Sequence, residues 1–102
     1  MKGLGTMSMH LIHQHPNLVL TEEVYYLISQ NRLCRKAKKN LFKGFLSLDV
    51  NGLNVDKLGG KLVKTSEGWE LVAKGDSEWR FKIRELMNCD SSIYEITSYY
   101  KK

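Results

Sequence analysis

Proline is almost missing from this chain of 102 residues: Pro16 is the only one, which excludes proline-rich linkers and polyproline segments. Cysteine is nearly as scarce. Cys34 and Cys89 lie far apart with no signal peptide before them, so no disulfide framework is expected and a reducing, cytoplasmic setting is. The longest apolar runs, such as Leu18-Val19-Leu20, fall far short of the ~18 residues a membrane span needs, and no membrane partner is expected. Nucleophile elbow, dinucleotide fingerprint and phosphate loop are all missing too. Leu58-Gly59-Gly60-Lys61 is too short for a phosphate loop and no Ser or Thr follows it, so nucleotide hydrolysis has no support.

Acidic residues are also unevenly withheld. Residues 1–48 hold seven basic side chains against two acids, Glu22 and Glu23, whereas residues 49–102 hold nine of each sign. The net charge of +5 therefore belongs to the first half, and it points to a polyanionic or acidic partner. With 42% hydrophobic and 26% charged residues the chain is globular, and its length fits one domain. Residues 1–8 read as a loose N-terminus without periodicity, and residues 9–102 as a single α+β domain.

Residues 9–20 predict a first strand or strand-like arm, interrupted at Pro16 because the residue before proline is driven out of the helical region. Thr21, a hydroxyl able to cap free amides, precedes Glu22 and Glu23, so a helix should begin at Glu22 and carry Val24, Leu27 and Ile28 on its apolar face. A second helix is predicted from Leu33, with Cys34, Ala37, Leu41, Phe45 and Leu48 on one face and Phe42 and Leu46 flanking it. Its other face holds Arg35, Lys36, Lys38, Lys39 and Lys43 with no acid among them. That ridge reads either as a solvated face or as a docking surface for RNA or an acidic partner. Asn51-Gly52 and Gly59-Gly60 mark a loop whose Leu53, Val55 and Leu58 should dip into the core.

The rest alternates with period two. Strands are expected over Lys61–Thr65, Trp69–Lys74, Trp79–Met87 and Ile93–Tyr100, with turns at Gly75-Asp76-Ser77 and at 88–92. In the third of these, Trp79, Phe81, Ile83 and Met87 share one face and Arg80, Lys82 and Arg84 the other. The fold expected is an N-terminal strand and two helices packed on a small antiparallel sheet of three to four strands.

Arg80, Lys82 and Arg84, with Lys64 and the rings of Tyr94, Tyr99 and Tyr100, are expected to form a cationic, aromatic-edged concavity suited to single-stranded nucleic acid. Phosphates would pair with the cations and bases stack on the rings at ~1–3 kcal/mol each. A strand exposed on one side must be polar there, so a solvated sheet surface is the competing reading. His10, His13 and His15 with Cys34 or Cys89 are the only metal-ligand candidates, but no CxxC or HExxH spacing supports them, so neither metal nor other cofactor is expected. Cys34, on the apolar helix stripe, reads as a small buried hydrophobe.

The runs Asp56-Lys57-Leu58-Gly59-Gly60, Gly68-Trp69-Glu70-Leu71, Trp79-Arg80-Phe81 and Ser92-Ile93-Tyr94-Glu95-Ile96, leading to Tyr99-Tyr100-Lys101-Lys102, resemble the RelE/HigB toxin superfamily. There a "kLgg" loop precedes "lyElR", "yRvly" and a closing strand ending in aromatic and lysine residues. The resemblance spans roughly residues 9–102 and implies a RelE-like fold, metal-free and ribosome-dependent cleavage of mRNA, and a cognate antitoxin that neutralises it. It makes Arg80 the contact to the scissile phosphate, with Arg84, Lys82 and Lys64 in the same concavity and Tyr99 or Tyr100 stacking on a base. Val72 stands where "ElR" carries arginine, and no C-terminal helix follows. These departures keep a repurposed homologue, a ParE-like gyrase inhibitor or a non-enzymatic binding protein of a phage or mobile element in view.

Overall fold

The computed structural model describes residues 9–12, 15–88 and 91–102. The expected loose start at residues 1–8, His13, Cys89 and the centre of the turn at 88–92 lie outside the described residues, as do the side chains of His10, His15 and Met87.

Two strands come first. β1 (Met9–Ile12) and β2 (His15–Thr21) form an antiparallel pair, with the break at Pro16 falling where β2 begins. α1 (Glu22–Ser29) starts where the paired glutamates place it. Thr21, however, does not cap it. The side chain is fully buried and donates its hydroxyl to the carbonyl of Thr97 at 2.9 Å, across to another strand.

α2 (Arg35–Asn51) buries Ala37, Leu41, Phe45 and Leu48, the predicted stripe. It begins two residues later than expected, and Cys34 lies just outside it as the N-cap. The thiol is half-buried, with Sγ accepting from the Ala37 amide at 3.4 Å, and that hydrogen bond holds its pKa below the ordinary thiol value. The segment expected to be loop contains a short helix, α3 (Val55–Leu58), capped by Asn54. Leu58 is buried and Leu53 half-buried, but Val55, at the first helical position, is exposed.

A 3₁₀ turn at Gly59–Lys61 leads into β3 (Leu62–Thr65), β4 (Gly68–Lys74), β5 (Glu78–Asn88) and β6 (Ser91–Lys101). The sheet is larger than expected and mixed: six strands in the order β1-β2-β6-β5-β4-β3, with β2 and β6 parallel. β6 inserts between the N-terminal hairpin and β5. Sequence periodicity marks strands but not their neighbours, and the β2–β6 pairing is what joins the N-terminal hairpin to the sheet.

Between Lys82 and Ile83 the β5–β6 register slips, so that Lys82 faces Ser98 while Ile83 faces Ile96 and Thr97 is left over. This bulge is held from both sides: Thr97 receives the Thr21 hydroxyl on its carbonyl and donates its own to the Lys82 carbonyl at 3.4 Å.

α1 and α2 cover one face of the sheet, α2 against β2 and β4 and α1 against β2 and β6. Leu18, Leu20, Leu71, Phe81 and Ile96 meet Val24, Leu27, Leu41, Phe45 and Leu48 in the core, where each large side chain contributes about 1.5–3 kcal/mol by leaving water. The approach is close at two glycines. A Cβ on Gly44 would stand 3.0 Å from the Leu71 side chain, and one on Gly75, in the β4–β5 turn, would stand 2.4 Å from the Cys34 sulfur. Among the described residues no helix is long and apolar enough to cross a membrane.

Candidate nucleic-acid interface

The face of the sheet away from the helices carries the cations of β5. Its register sets Arg80 between Val72 and Tyr100, Lys82 between Glu70 and Ser98, and Arg84 beside Glu95. Alternation on β5 thus places the three basic side chains on one face as expected. It leaves out the acids that neighbouring strands bring to them.

Every one of the three is paired. Arg80 donates from Nε to Glu78 Oε2 at 2.6 Å and from Nη1 to Glu70 Oε1 at 3.2 Å, and its Nη2 also faces Glu78. Tyr100 donates its hydroxyl to the same Glu70 oxygen at 2.6 Å. Lys82 meets Glu67 at 3.3 Å and lies 6.0 Å from the centre of the Tyr100 ring. Arg84 directs both Nε, at 2.9 Å, and Nη2, at 2.7 Å, to Glu95 Oε1.

Four carboxylates therefore meet three cations, and among these paired groups the face holds one more acid than base rather than being cationic. Glu67, Glu70 and Glu95 are site residues that β5 alone does not reveal, whereas Glu78 lies on β5 itself, two residues before Arg80 and on its face. Glu70 could have been found, because the period-two reading of β4 already sets it on one side with Val72.

The arginines differ in what they can still bind. The Arg80 side chain is 12% exposed with all three nitrogens engaged, whereas the Arg84 side chain is 62% exposed and its Nη1 edge has no protein partner among the described residues. Glu95 beneath Arg84 is 1% exposed, so the guanidinium is anchored from below and open above. A cleft of about 380 Å³ runs past this point, lined by Glu67, Glu70, Lys82, Arg84 and Glu95.

Hydrogen bonding sets the local titration. The Arg80 hydrogen bond holds the Glu78 carboxyl below its ordinary value. The Glu70 carboxylate, by accepting from Tyr100, pushes that phenol above its own. Glu70 is itself buried, so removing Arg80 leaves a poorly solvated carboxylate with one hydrogen-bond donor instead of two. Arg80→Ala should accordingly cost about 2 kcal/mol of stability in urea melts, between the values for exposed and fully buried pairs. A depressed carboxyl stabilises the fold above its unfolded pKa and loses that contribution as pH falls through its folded one. The gap between wild type and Arg80→Ala should therefore narrow on acidification below pH 4.5, the unshifted value.

The remaining candidates lie elsewhere. Tyr99 is on the opposite face, its ring 5.8 Å from Trp79 and 6.2 Å from Phe81. Lys64 pairs with Trp69 on that same opposite side, 4.9 Å from its ring. Tyr94 is a core residue whose hydroxyl abuts Gly52 at the end of α2. Only Tyr100 joins the basic residues of β5. Arg35, Lys36, Lys38, Lys39 and Lys43 lie on α2, across the sheet from the cleft, with Lys38 donating to Asn31 Oδ1 at 2.9 Å. Among the described residues no group of three or more His, Cys, Asp or Glu is placed to hold a metal ion.

Comparisons with protein-family models, with curated proteins and with solved structures found no match.

Proposed function

We propose that this chain is a RelE-like toxin that cleaves mRNA on the ribosome without a metal ion and is neutralised by a cognate antitoxin. Arg84 carries the reading. A guanidinium fixed by a buried carboxylate and open on its outer edge can hold a phosphate and meet the charge that develops when a neighbouring 2′-oxygen attacks it.

The other groups in the cleft fit the same step. Glu67, exposed in the β3–β4 turn, can accept the 2′-hydroxyl proton, and Lys82 beside it can protonate the departing 5′-oxygen, leaving a cyclic phosphate and a free 5′-hydroxyl. Tyr100, beside Lys82 and outside the lining of the cleft, offers a ring for a base. The phosphate contact thereby moves from Arg80 to Arg84, and Arg80 becomes the residue that fixes Glu70 and Tyr100.

A non-enzymatic binding protein is the second reading. One observation favours it: Val72 is buried in the row of Arg80 and Tyr100, where the toxin pattern carries arginine. Inducible expression followed by mapping of mRNA 5′ ends separates the two. Growth arrest with cuts in translated messages, reproduced with purified ribosomes, is the expected result. A wild-type protein that is harmless and leaves messages intact would overturn the nuclease reading.

A further inference from the structure

The outer face of α2 has an apolar stripe that the core does not use. Phe42, Leu46 and Val50 are 43%, 53% and 70% exposed, at i, i+4 and i+8 on one side of a helix whose other side already buries Ala37, Leu41, Phe45 and Leu48. They form a continuous row about 12 Å long at 1.5 Å per residue. Single exposed hydrophobics need no explanation, but three in register on a helix mark a contact surface.

Around and ahead of this row stand Arg35, Lys36, Lys39 and Lys43, none with a carboxylate partner among the described residues. The contrast with the sheet is sharp, since there every cation of β5 has an acid. Uncompensated positive charge and uncovered apolar surface coincide on this one helix face.

The two features together choose the partner. RNA would satisfy the lysines and leave Leu46 and Val50 in water. A second copy of the same face would bring cations against cations. An acidic helix with one apolar side satisfies both. We propose that the outer face of α2 docks an acidic amphipathic helix of a partner protein, covering Phe42, Leu46 and Val50 and pairing its carboxylates with Arg35, Lys36, Lys39 and Lys43. This surface lies across the sheet from the cleft, so it goes beyond the nuclease reading and stands or falls separately from it.

The test uses the full chain and a fluorescent peptide of three heptads, leucine at a and d and glutamate at e and g. Anisotropy should show binding that weakens as salt rises, that drops at least tenfold in Leu46→Asp and in Lys39→Glu/Lys43→Glu, and that is unchanged in Arg84→Ala. All these positions are exposed, and circular dichroism verifies that each variant folds. No binding of the peptide, or binding indifferent to Leu46→Asp, overturns the proposal. So does a single-stranded RNA or an anionic vesicle that needs Lys39 and Lys43 while the peptide does not bind.

Discussion

Arg84→Ala should abolish growth arrest and lower the rate of RNA cleavage at least ~100-fold, the usual cost of removing one preorganised donor to a developing anion. Arg84→Lys should recover little, because an ammonium keeps the charge but cannot set two N–H groups on Glu95 while presenting a third to phosphate. Stability should also fall in Arg84→Ala, but not enough to unfold the chain. Glu95 is 1% exposed and loses its guanidinium partner in Arg84→Ala, so, as with Glu70 in Arg80→Ala, a loss of about 2 kcal/mol is expected, and Arg84→Lys, which keeps a cation beside the carboxylate, should lose less. Thermal melts alongside 5′-end mapping check both halves. Full toxicity in Arg84→Ala would remove this residue from the chemistry.

The second large effect belongs to the fold. Gly75→Ala is expected to destabilise by about 3 kcal/mol, read as a lower urea midpoint at unchanged slope. The added carbon would stand 2.4 Å from Cys34 Sγ, 2.8 Å from Ala37 Cβ and 2.9 Å from the Ala37 backbone nitrogen. The sulfur can be removed but the backbone cannot, so Cys34→Ala in the same chain should restore only part of the loss. Gly59→Ala is the control. Nothing lies within 4 Å there, and only the positive φ of 60° opposes a side chain, a strain of about 1 kcal/mol.

What could be read from the sequence was local. The apolar face of α2 is its buried face, and the glutamates after Thr21 mark the start of α1, because both signals lie within a few turns of chain. Alternation on β5 separated Phe81 from Arg80 for the same reason. Sheet order, by contrast, depends on pairings between distant segments, such as β2 with β6, and these decide which acids meet Arg80 and Arg84. Tyr94 and Tyr99 show the limit most plainly. They sit five residues apart, an odd spacing that ought to divide them between faces, yet the extra residue at the bulge brings both to the helix side. Cys34 falls one residue outside α2 although its position continues the apolar stripe, because its backbone is extended and its thiol caps the helix.

The position of β6 has a kinetic consequence. Of the six strands of the sheet it comes last in chain order, yet it lies in the interior, contacting β2 across more than seventy residues of chain. A nascent chain lacking β6 has β1–β2 and β3–β4–β5 as two unjoined pieces, each with an open strand edge. Such long-range closure makes folding slow relative to helical domains of similar size. Glu95 arrives with that same strand, so the guanidinium of Arg84 acquires its anchor only when the final pairing forms. Assembly of the sheet and assembly of the cleft are one event.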